Sequence, residues 1–486
     1  MCIATLLALL ASACASRTTL PPPRLPLAAT PADAIPAPGP PPADTPMRVA
    51  VTDRTLDNGT RVLVSPRPAE GLVTVLWLDE AAAGRDRRAN ATVTSMLGFA
   101  MQDATRIGDD VVPSYARRQG FDLGLGVSPQ AMLAVATFAA GELPRYLDVL
   151  DAVIRRPALR DLPLRGEIAR RLETVEGELA TAEGILDDRL PGLLYAPADP
   201  RSAPLTLQRA ELASLDPAMI AVRHAQILDP SACTLIVVGE VEPSAVLEQA
   251  NRVFGAWPAH PSAATLVPEV LDESPVRGIG VVRPLLRPWI GVFERAPSIA
   301  DPDHAAFLVL GQVLGGMFSA RLNLFVRESE TLSYGLGAAY QADAMSGELQ
   351  LATAVDPARV GAFLQVLLEE LSRVGGAGGG ITDRELEIAR VRARQTLRER
   401  LDTTNGLASV LAERVLADLP ATHILEVLDR IEHLSAEDIH AAARRWIRPA
   451  QAPIGIVASE EILRGQVARA PLGHMTMIIP PPRVRR

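Results

Sequence analysis

The sequence predicts an α+β protein built from two related copies in tandem, each of about 200 residues. Its 486 residues exceed what one hydrophobic core organises. Strand-like and helix-like segments form two series of similar order, separated by a Pro-, Ala- and Ser-rich stretch over His260–Pro275. An internal match at an offset of 219 residues aligns Leu215-Asp-Pro-Ala-Met-Ile220 with Leu434-Ser-Ala-Glu-Asp-Ile439. These three observations favour a tandem repeat.

The internal match continues beyond the aligned hexapeptides. At the same offset Pro230 falls on Pro449, and an apolar strand pattern follows each proline. In each copy a capping residue, Asp216 or Ser435, opens a helix that leads through the proline turn into the strand. The repeated unit is therefore helix, turn and strand.

The elements of the first series follow from apolar periodicity and turn residues. Leu56-Asp-Asn-Gly59 predicts a hairpin turn. The predicted strands are Arg48–Val51, Arg61–Ser65, Val73–Leu78, Phe121–Val127, Ala131–Phe138 and the apolar run at Cys233, a small core hydrophobe. The predicted helices are Ala89–Thr105, Leu143–Arg155, Leu162–Leu190, Pro217–Leu228 and Pro243–Phe254.

The second series starts at Gly278 with two strands. Thr382 and Glu385 have capping-box spacing at the start of a helix. The further predicted strands are Ser333–Gln341 and Glu348–Ala354. The predicted helices are His304–Leu314, Ser319–Val326, Pro357–Ser372, Asp383–Leu401, Leu407–Leu416 and Ala436–Trp446.

The N-terminal residues resemble a bacterial lipoprotein leader. An apolar run over Ile3–Ala13, too short to span a bilayer, ends in Leu10-Ala-Ser-Ala-Cys14. This pattern implies lipidation of Cys14, and Ala15 after it favours a periplasm-facing outer-membrane location. The alternative is an ordinary cleaved signal peptide.

The segments along the chain are expected as follows. A leader over 1–14 and a Pro/Ala-rich tether over 15–46 precede an N-terminal domain over 47–258, a linker over 259–276, a C-terminal domain over 277–470 and a tail over 471–486. A net charge of −9 argues against a nucleic acid partner, because phosphate binding needs clustered positive charge.

The stretch from Leu314 to Tyr334 carries the most specific signal. It contains Leu-Gly-Gly, then Ser-Ala-Arg-Leu, then Arg327-Glu and, after five intervening residues, Tyr334. It resembles the C-terminal signature of the pitrilysin/insulinase family of zinc peptidases, and similarity extends from about Met47 to Ile462. The resemblance implies two α/β-roll halves that enclose a chamber for unfolded peptides. It also implies that Arg327 and Tyr334 support peptide binding and the transition state from across that chamber.

The zinc motif of that family, H-x-x-E-H, is missing. Aligning the helix that ends at Thr105 with the family's zinc helix puts Ser95 and Phe99 at the ligand positions and Gly98 at the general base. No His lies between Met1 and Arg223. No metal or other cofactor is therefore expected in this chain. The carboxylates nearest the family's third ligand are interpreted as a solvated helix face: Glu173, Glu176 and Glu178.

The histidines offer little else. His224 is expected to face solvent or to be a satisfied core residue, and His260 lies beside the linker. His433 and His440 are seven residues apart, but Leu434-Ser435 predicts a helix break between them. A metal site there is therefore disfavoured.

Three functional hypotheses remain open at this stage. The first is an accessory subunit that supplies Arg327 and Tyr334 to a homologous zinc-bearing peptidase subunit, with zinc only in that partner. The second is a non-enzymatic peptide-binding or scaffold protein of the cell envelope, because this fold alone does not imply proteolysis. The third is an active peptidase with a rearranged site.

Overall fold

The computed structural model describes residues 49–68, 70–81, 91–128, 130–162, 164–197, 199–227, 229–258, 278–316, 320–324, 335–376, 380–470, 472 and 474–479. Val51–Arg486 form one compact unit. It contains two six-stranded mixed sheets packed with helices, which confirms the predicted α+β class. The domain boundaries expected from the sequence stay predictions.

The first sheet has the strand order β1-β2-β8-β3-β7-β6. Its strands are β1 Thr52–Thr55, β2 Arg61–Pro66, β3 Leu72–Asp79, β6 Gly124–Val127, β7 Met132–Ala139 and β8 Cys233–Gly239, while β4 Arg106–Ile107 and β5 Asp110–Val111 pair separately. The predicted hairpin is present, with Thr55 opposite Arg61 and Gly59 at φ +94°. The first strand begins at Thr52, later than predicted.

The second sheet repeats this order. Its strands are β9 Gly278–Val282, β10 Trp289–Ala296, β11 Gly337–Ala342, β12 Gly347–Ala354, β13 Ile454–Ala458 and β14 Met475–Ile478. Taken from β14, the order β14-β9-β13-β10-β12-β11 corresponds strand by strand to the first sheet. The pairings also correspond, except that β14 lies parallel to β9 whereas β1 is antiparallel to β2. The two sheets thus support a tandem repeat.

The helices of the first half share one hydrophobic core with its sheet. They are α1 Ala91–Ala104, α2 Val112–Gln119, α3 Leu143–Arg155, α4 Leu164–Ala180, α5 Ala182–Arg189, α6 Pro191–Leu194, α7 Leu205–Leu212, α8 Pro217–Ile227 and α9 Pro243–Phe254. The core here includes fully buried Trp77, whose ring centroid lies 4.9 Å from Phe254 and 5.3 Å from Trp257.

The helices of the second half follow a related order. They are α10 His304–Gly311, continued by a π-helical turn over Gln312–Gly316, then α11 Arg321–Leu324, α12 Val360–Gly375, α13 Asp383–Leu401, α14 Thr404–Leu416, α15 His423–His433, α16 Ala436–Trp446 and α17 Glu460–Gly465. Helices α8 and α16 are offset by 219 residues, as the internal match predicts. Asp216 accepts from the Met219 amide and Ser435 from the Asp438 amide, so both predicted caps form.

The predicted helix over Leu162–Leu190 is wrong in one respect, because it breaks between α4 and α5. Thr181 accepts a hydrogen bond from the amide of Gly184 at 2.9 Å, which starts a new helix. Thr403 and Gly406 repeat this arrangement at 3.0 Å between α13 and α14. A Cβ on either glycine would collide with a carbonyl oxygen of the preceding helix. Close packing at the break therefore requires glycine in both copies.

Each half contributes a helix to the other half's sheet. Helix α5 packs on β10 and β13 of the second sheet. Leu186 of this helix is 2% exposed and lies over Gly291 and Gly455. Conversely, α14 packs on β3 and β8 of the first sheet, where Thr74 donates to Thr404 across 2.8 Å. We call this arrangement the helix exchange.

Candidate functional site

Helix α1 carries Ser95, Gly98 and Phe99, the three positions that the sequence resemblance aligns with a zinc site. The Ser95 hydroxyl donates to the Thr92 carbonyl at 2.8 Å. Gly98 is buried, and a Cβ there would lie 3.7 Å from Leu125 Cβ. Phe99 is 43% exposed. Zinc takes imidazole nitrogen, thiolate sulfur or carboxylate oxygen. A backbone-bonded hydroxyl, a glycine and a phenyl ring supply none of these, so the residues do not fit a zinc ion.

Polar side chains from neighbouring helices hold the start of α1. Thr92 donates to the Glu211 carboxylate of α7. Arg223 of α8 is 9% exposed and donates to Thr94 across 2.9 Å. A buried guanidinium beside this helix adds positive charge at short range. These hydrogen bonds fix the start of α1 against α7 and α8.

Three glutamates of α4 are the carboxylates that the sequence resemblance puts near a third zinc ligand. Glu173 and Glu176 are exposed and Glu178 is half-buried, as expected for a solvated helix face. Within the ranges that the structure describes, no group of three His, Cys, Asp or Glu residues is arranged to hold a metal ion. The fold therefore assembles no replacement ligand set from the described residues.

The structure decides between the alternatives left open for the histidines. His224 is a core residue whose Nε2 donates to the Ile154 carbonyl at 2.6 Å, and burial lowers its pKa. The helix break after His433 is confirmed, since α15 ends there and α16 begins at Ala436. His440 Nε2 accepts from the Ile381 amide at 3.3 Å. The buried thiol of Cys233 donates to the Asp229 carbonyl, confirming its core position.

A buried polar cluster between α10, α14, α15 and β11 was not expected from the sequence. The Tyr340 hydroxyl donates to the Pro297 carbonyl at 2.8 Å, so His304 Nδ1 must donate to Tyr340 across 2.8 Å. Arg414 donates to His423 Nδ1, also at 2.8 Å. Burial lowers the pKa of His304 to about 3. These residues join four elements, and no sequence spacing brings them together.

The expected substrate contacts, Arg327 and Tyr334, lie outside the described residues, as do Cys14 and His260. The elements that flank the segment 325–334 are described. They are α11 before it and the start of β11 after it.

Helix α11 is anchored to the rest of the second half by Arg321. This side chain is 11% exposed and donates to Glu385 through Nε at 2.9 Å and Nη2 at 2.7 Å. Its Nη1 reaches Glu370 at 3.3 Å. Burial opposes ionisation of Glu385, but hydrogen bonds from Arg321 and Thr382 outweigh it and lower its pKa to about 2. The predicted capping box of Thr382 and Glu385 is present.

Comparison with known proteins agrees with this architecture. Residues 215–392 match the family described as peptidase M16 inactive domain. An uncharacterized zinc protease of Mycobacterium leprae (strain TN) is 25% identical over 429 residues, covering 85% of this chain and 93% of that protein.

Solved structures share the fold at low sequence identity. A peptidase M16 inactive domain from Pseudomonas fluorescens superposes with a TM-score of 0.73 at 18% identity, covering 85% of this chain and 98% of that one. A chain of Complex III2 from Candida albicans gives 0.74 at 12% identity, covering 86% and 98%.

The two-sheet α+β fold and the matched domain together define the class of protein. The chain is a peptidase homologue. More narrowly, residues 215–392 match the peptidase M16 inactive domain, and most of the chain is similar to proteins described as zinc proteases.

Proposed function

We propose that this chain is a non-catalytic M16 subunit that supports peptide hydrolysis by a homologous zinc-bearing partner. The proposal rests on helix α1, where the sequence resemblance aligns Ser95, Gly98 and Phe99 with both zinc ligands and the general base, and none of the three can serve in those roles. A zinc peptidase needs three protein ligands and a carboxylate to take the water's proton. In the proposed pair the partner supplies these, and zinc is bound only there.

The contribution of this chain would be Arg327 and Tyr334. A guanidinium offers rigid paired donors to a peptide carbonyl or carboxylate. A tyrosine hydroxyl can donate to the oxyanion that develops during hydrolysis. The substrates would be unfolded peptides, and a lipid on Cys14 would hold the pair at the periplasmic face of the outer membrane.

The test begins with affinity purification of the tagged chain from native envelopes and mass spectrometry of what accompanies it. We expect a near-stoichiometric homologue bearing H-x-x-E-H. Arg327→Ala and Tyr334→Phe in the recovered pair should each lower turnover of a quenched fluorescent peptide by about 10²-fold, as loss of one oxyanion donor does. Matched controls are Arg54→Ala on exposed β1 and Tyr115→Phe on α2. Unchanged turnover with intact assembly would refute catalytic support.

A scaffold role is the second candidate, favoured by the fold's occurrence in the Complex III2 structure. A chain that stays monomeric at micromolar concentration and binds extended peptides without a zinc partner would support this candidate. Chelator-sensitive hydrolysis by the isolated chain would instead indicate a rearranged active site.

A further inference from the structure

Among the described strands, β6 forms one edge of the first sheet and pairs only with β7. The Ser128 amide donates to the Ala131 carbonyl at 2.8 Å where β6 turns into β7. Because antiparallel pairs alternate, the backbone groups of Gly124 and Gly126 face β7, whereas those of Leu125 point away from it. The outward groups beside Leu125 are therefore the ones that an additional strand would use.

The side chain of Gln102, from helix α1, occupies this outer edge. With its amide oriented so that both polar groups are satisfied, Nε2 donates to the Leu123 carbonyl at 3.0 Å and Oε1 accepts from the Leu125 amide at 2.9 Å. One residue of an added parallel strand would bond the same carbonyl and the same amide. The Gln102 amide thus reproduces the hydrogen bonds of an added strand.

Helix α1 also lies against β6 one turn before Gln102. Gly98 is buried, and a Cβ there would lie 3.7 Å from Leu125 Cβ and 3.8 Å from the Leu125 carbonyl oxygen. Neighbouring strands lie about 4.8 Å apart, so a helix in van der Waals contact leaves no space for another strand beside Leu125. A side chain larger than alanine at position 98 would hold α1 farther away, and Gln102 would no longer reach the edge.

Strand β6 has no other protection against pairing with a further chain. Its residues, Gly124-Leu-Gly-Val127, include no charge and no proline, which are the features that commonly protect an edge strand. The opposite edge of the same sheet does carry charge, because Asp53 and Arg54 lie in β1 and Arg61 donates to Asp53. The two edges are therefore protected in different ways.

We infer that Gln102 is an edge cap, which closes β6 of the first half to extended peptides. Exposed sheet edges bind such peptides through backbone hydrogen bonds, and the cap occupies the groups required. The closure is a property of the isolated chain and does not depend on the proposed function. In the proposed pair, its consequence is that this half does not hold substrate as an added strand.

Hydrogen exchange of the Leu125 amide in the isolated chain, followed on overlapping peptic peptides, tests the cap. Gln102→Met keeps the side-chain length and the helix propensity but removes both hydrogen bonds. It should speed the exchange about tenfold, equivalent to ~1.4 kcal/mol of local opening free energy. The matched control is Gln249→Met on α9, where the amide oxygen accepts from the Arg252 side chain. Unchanged exchange with Gln102→Met, or an equal increase with Gln249→Met, would overturn the inference.

Two variants at Gly98 test the approach of α1 separately. Gly98→Ala adds a Cβ at ordinary contact distance and should leave Leu125 exchange unchanged or slower. Gly98→Leu should displace α1 and speed the exchange about as much as Gln102→Met does. Equal exchange in the alanine and leucine variants would show that the edge does not depend on this contact.

An added peptide tests the closure itself. The probe alternates Thr and Val with Lys at each end, at about 1 mM, where a complex with a Kd of that size is half-formed. The peptide should leave Leu125 exchange unchanged in the wild type. In Gly98→Leu/Gln102→Ala it should slow the exchange about twofold, as half-occupancy requires, while the Val237 amide of β8 reports an intact sheet. Protection in the wild type, or none in this double variant, would overturn the inference.

Discussion

Replacing Gly455 with alanine should push helix α5 away from the second sheet. A Cβ at this position would lie 2.5 Å from Leu186 Cδ2 and 3.1 Å from Leu190 Cδ1. Carbon atoms in ordinary contact are about 3.5–4.0 Å apart. The leucine must therefore move by about 1 Å, or the helix must shift with it, and overpacking of this kind costs about 1–3 kcal/mol of unfolding free energy.

Leu186→Ala tests the same contact from the opposite side. The side chain is 2% exposed, and truncating a buried leucine costs about 2–5 kcal/mol. In the double variant Gly455→Ala/Leu186→Ala, the added methyl group occupies part of the vacated volume. The double variant should therefore be more stable than the sum of the single effects predicts, with a coupling of about 1–2 kcal/mol.

Urea unfolding followed by far-ultraviolet circular dichroism gives the three free energies from midpoints and slopes. The control is Gly166→Ala on exposed α4, where an added Cβ meets nothing within 4 Å. It should be neutral or stabilise by up to about 1 kcal/mol. If the effects of Gly455→Ala and Leu186→Ala add within about 0.5 kcal/mol in the double variant, the packing argument is refuted. A Gly455→Ala variant as stable as wild type would also refute it.

Three further predictions concern charge and metal binding. Burial lowers the pKa of His304 from 6.5 to about 3, so the unfolded chain binds more protons between these values. The free energy of unfolding should therefore fall by about 2–3 kcal/mol between pH 7 and pH 4.5. The His304→Gln variant should lack this pH-dependent fall when urea unfolding is measured at each pH. Glu385→Gln should cost about 1–2 kcal/mol at pH 7, discounted for partial exposure. The stabilisation that ionised Glu385 provides should disappear as pH falls from 4.5 through about 2. If Glu385→Gln lowered the free energy of unfolding equally at pH 2 and pH 7, the ionised carboxylate would not be the source of that stabilisation. Ser95→His/Phe99→His should gain zinc-dependent stability of about 1.4 kcal/mol per decade of free zinc above the Kd, measured by thermal unfolding. Neither wild type nor Ser95→His alone should show it.

Helix bounds were predicted correctly for four helices whose first turn carries a strong local signal. Four helices begin and end at the predicted residues, namely Leu143–Arg155, Pro243–Phe254, Asp383–Leu401 and Ala436–Trp446. Each starts with a proline in its first turn or with a Thr or Ser cap. The short helices α2, α7 and α15 were missed, since few residues separate each from adjacent turns. The break at Thr181 was missed because most flanking residues favour helix, Gly184 being the exception, and the packing that requires this glycine is not visible in the sequence.

At the candidate site the sequence predicts only what the residue types exclude, and this stays a prediction. Ser95, Gly98 and Phe99 cannot bind zinc whatever their geometry. The contacts that hold the signature segment were not predictable. Arg321 meets carboxylates 49 and 64 residues further along the chain, and local periodicity carries no information on such pairs.

The helix exchange has a consequence for biogenesis. The last strand of the first sheet ends at Gly239, but the helix that covers β3 and β8 begins at Thr404. At typical synthesis rates of about 5–20 residues per second, these two events are separated by roughly 10–30 s. During that interval the nascent chain exposes apolar strand surface that its own N-terminal half cannot cover. Holding chaperones and surveillance proteases would therefore encounter this protein before residue 404 emerges, and a chain terminated earlier would remain their substrate.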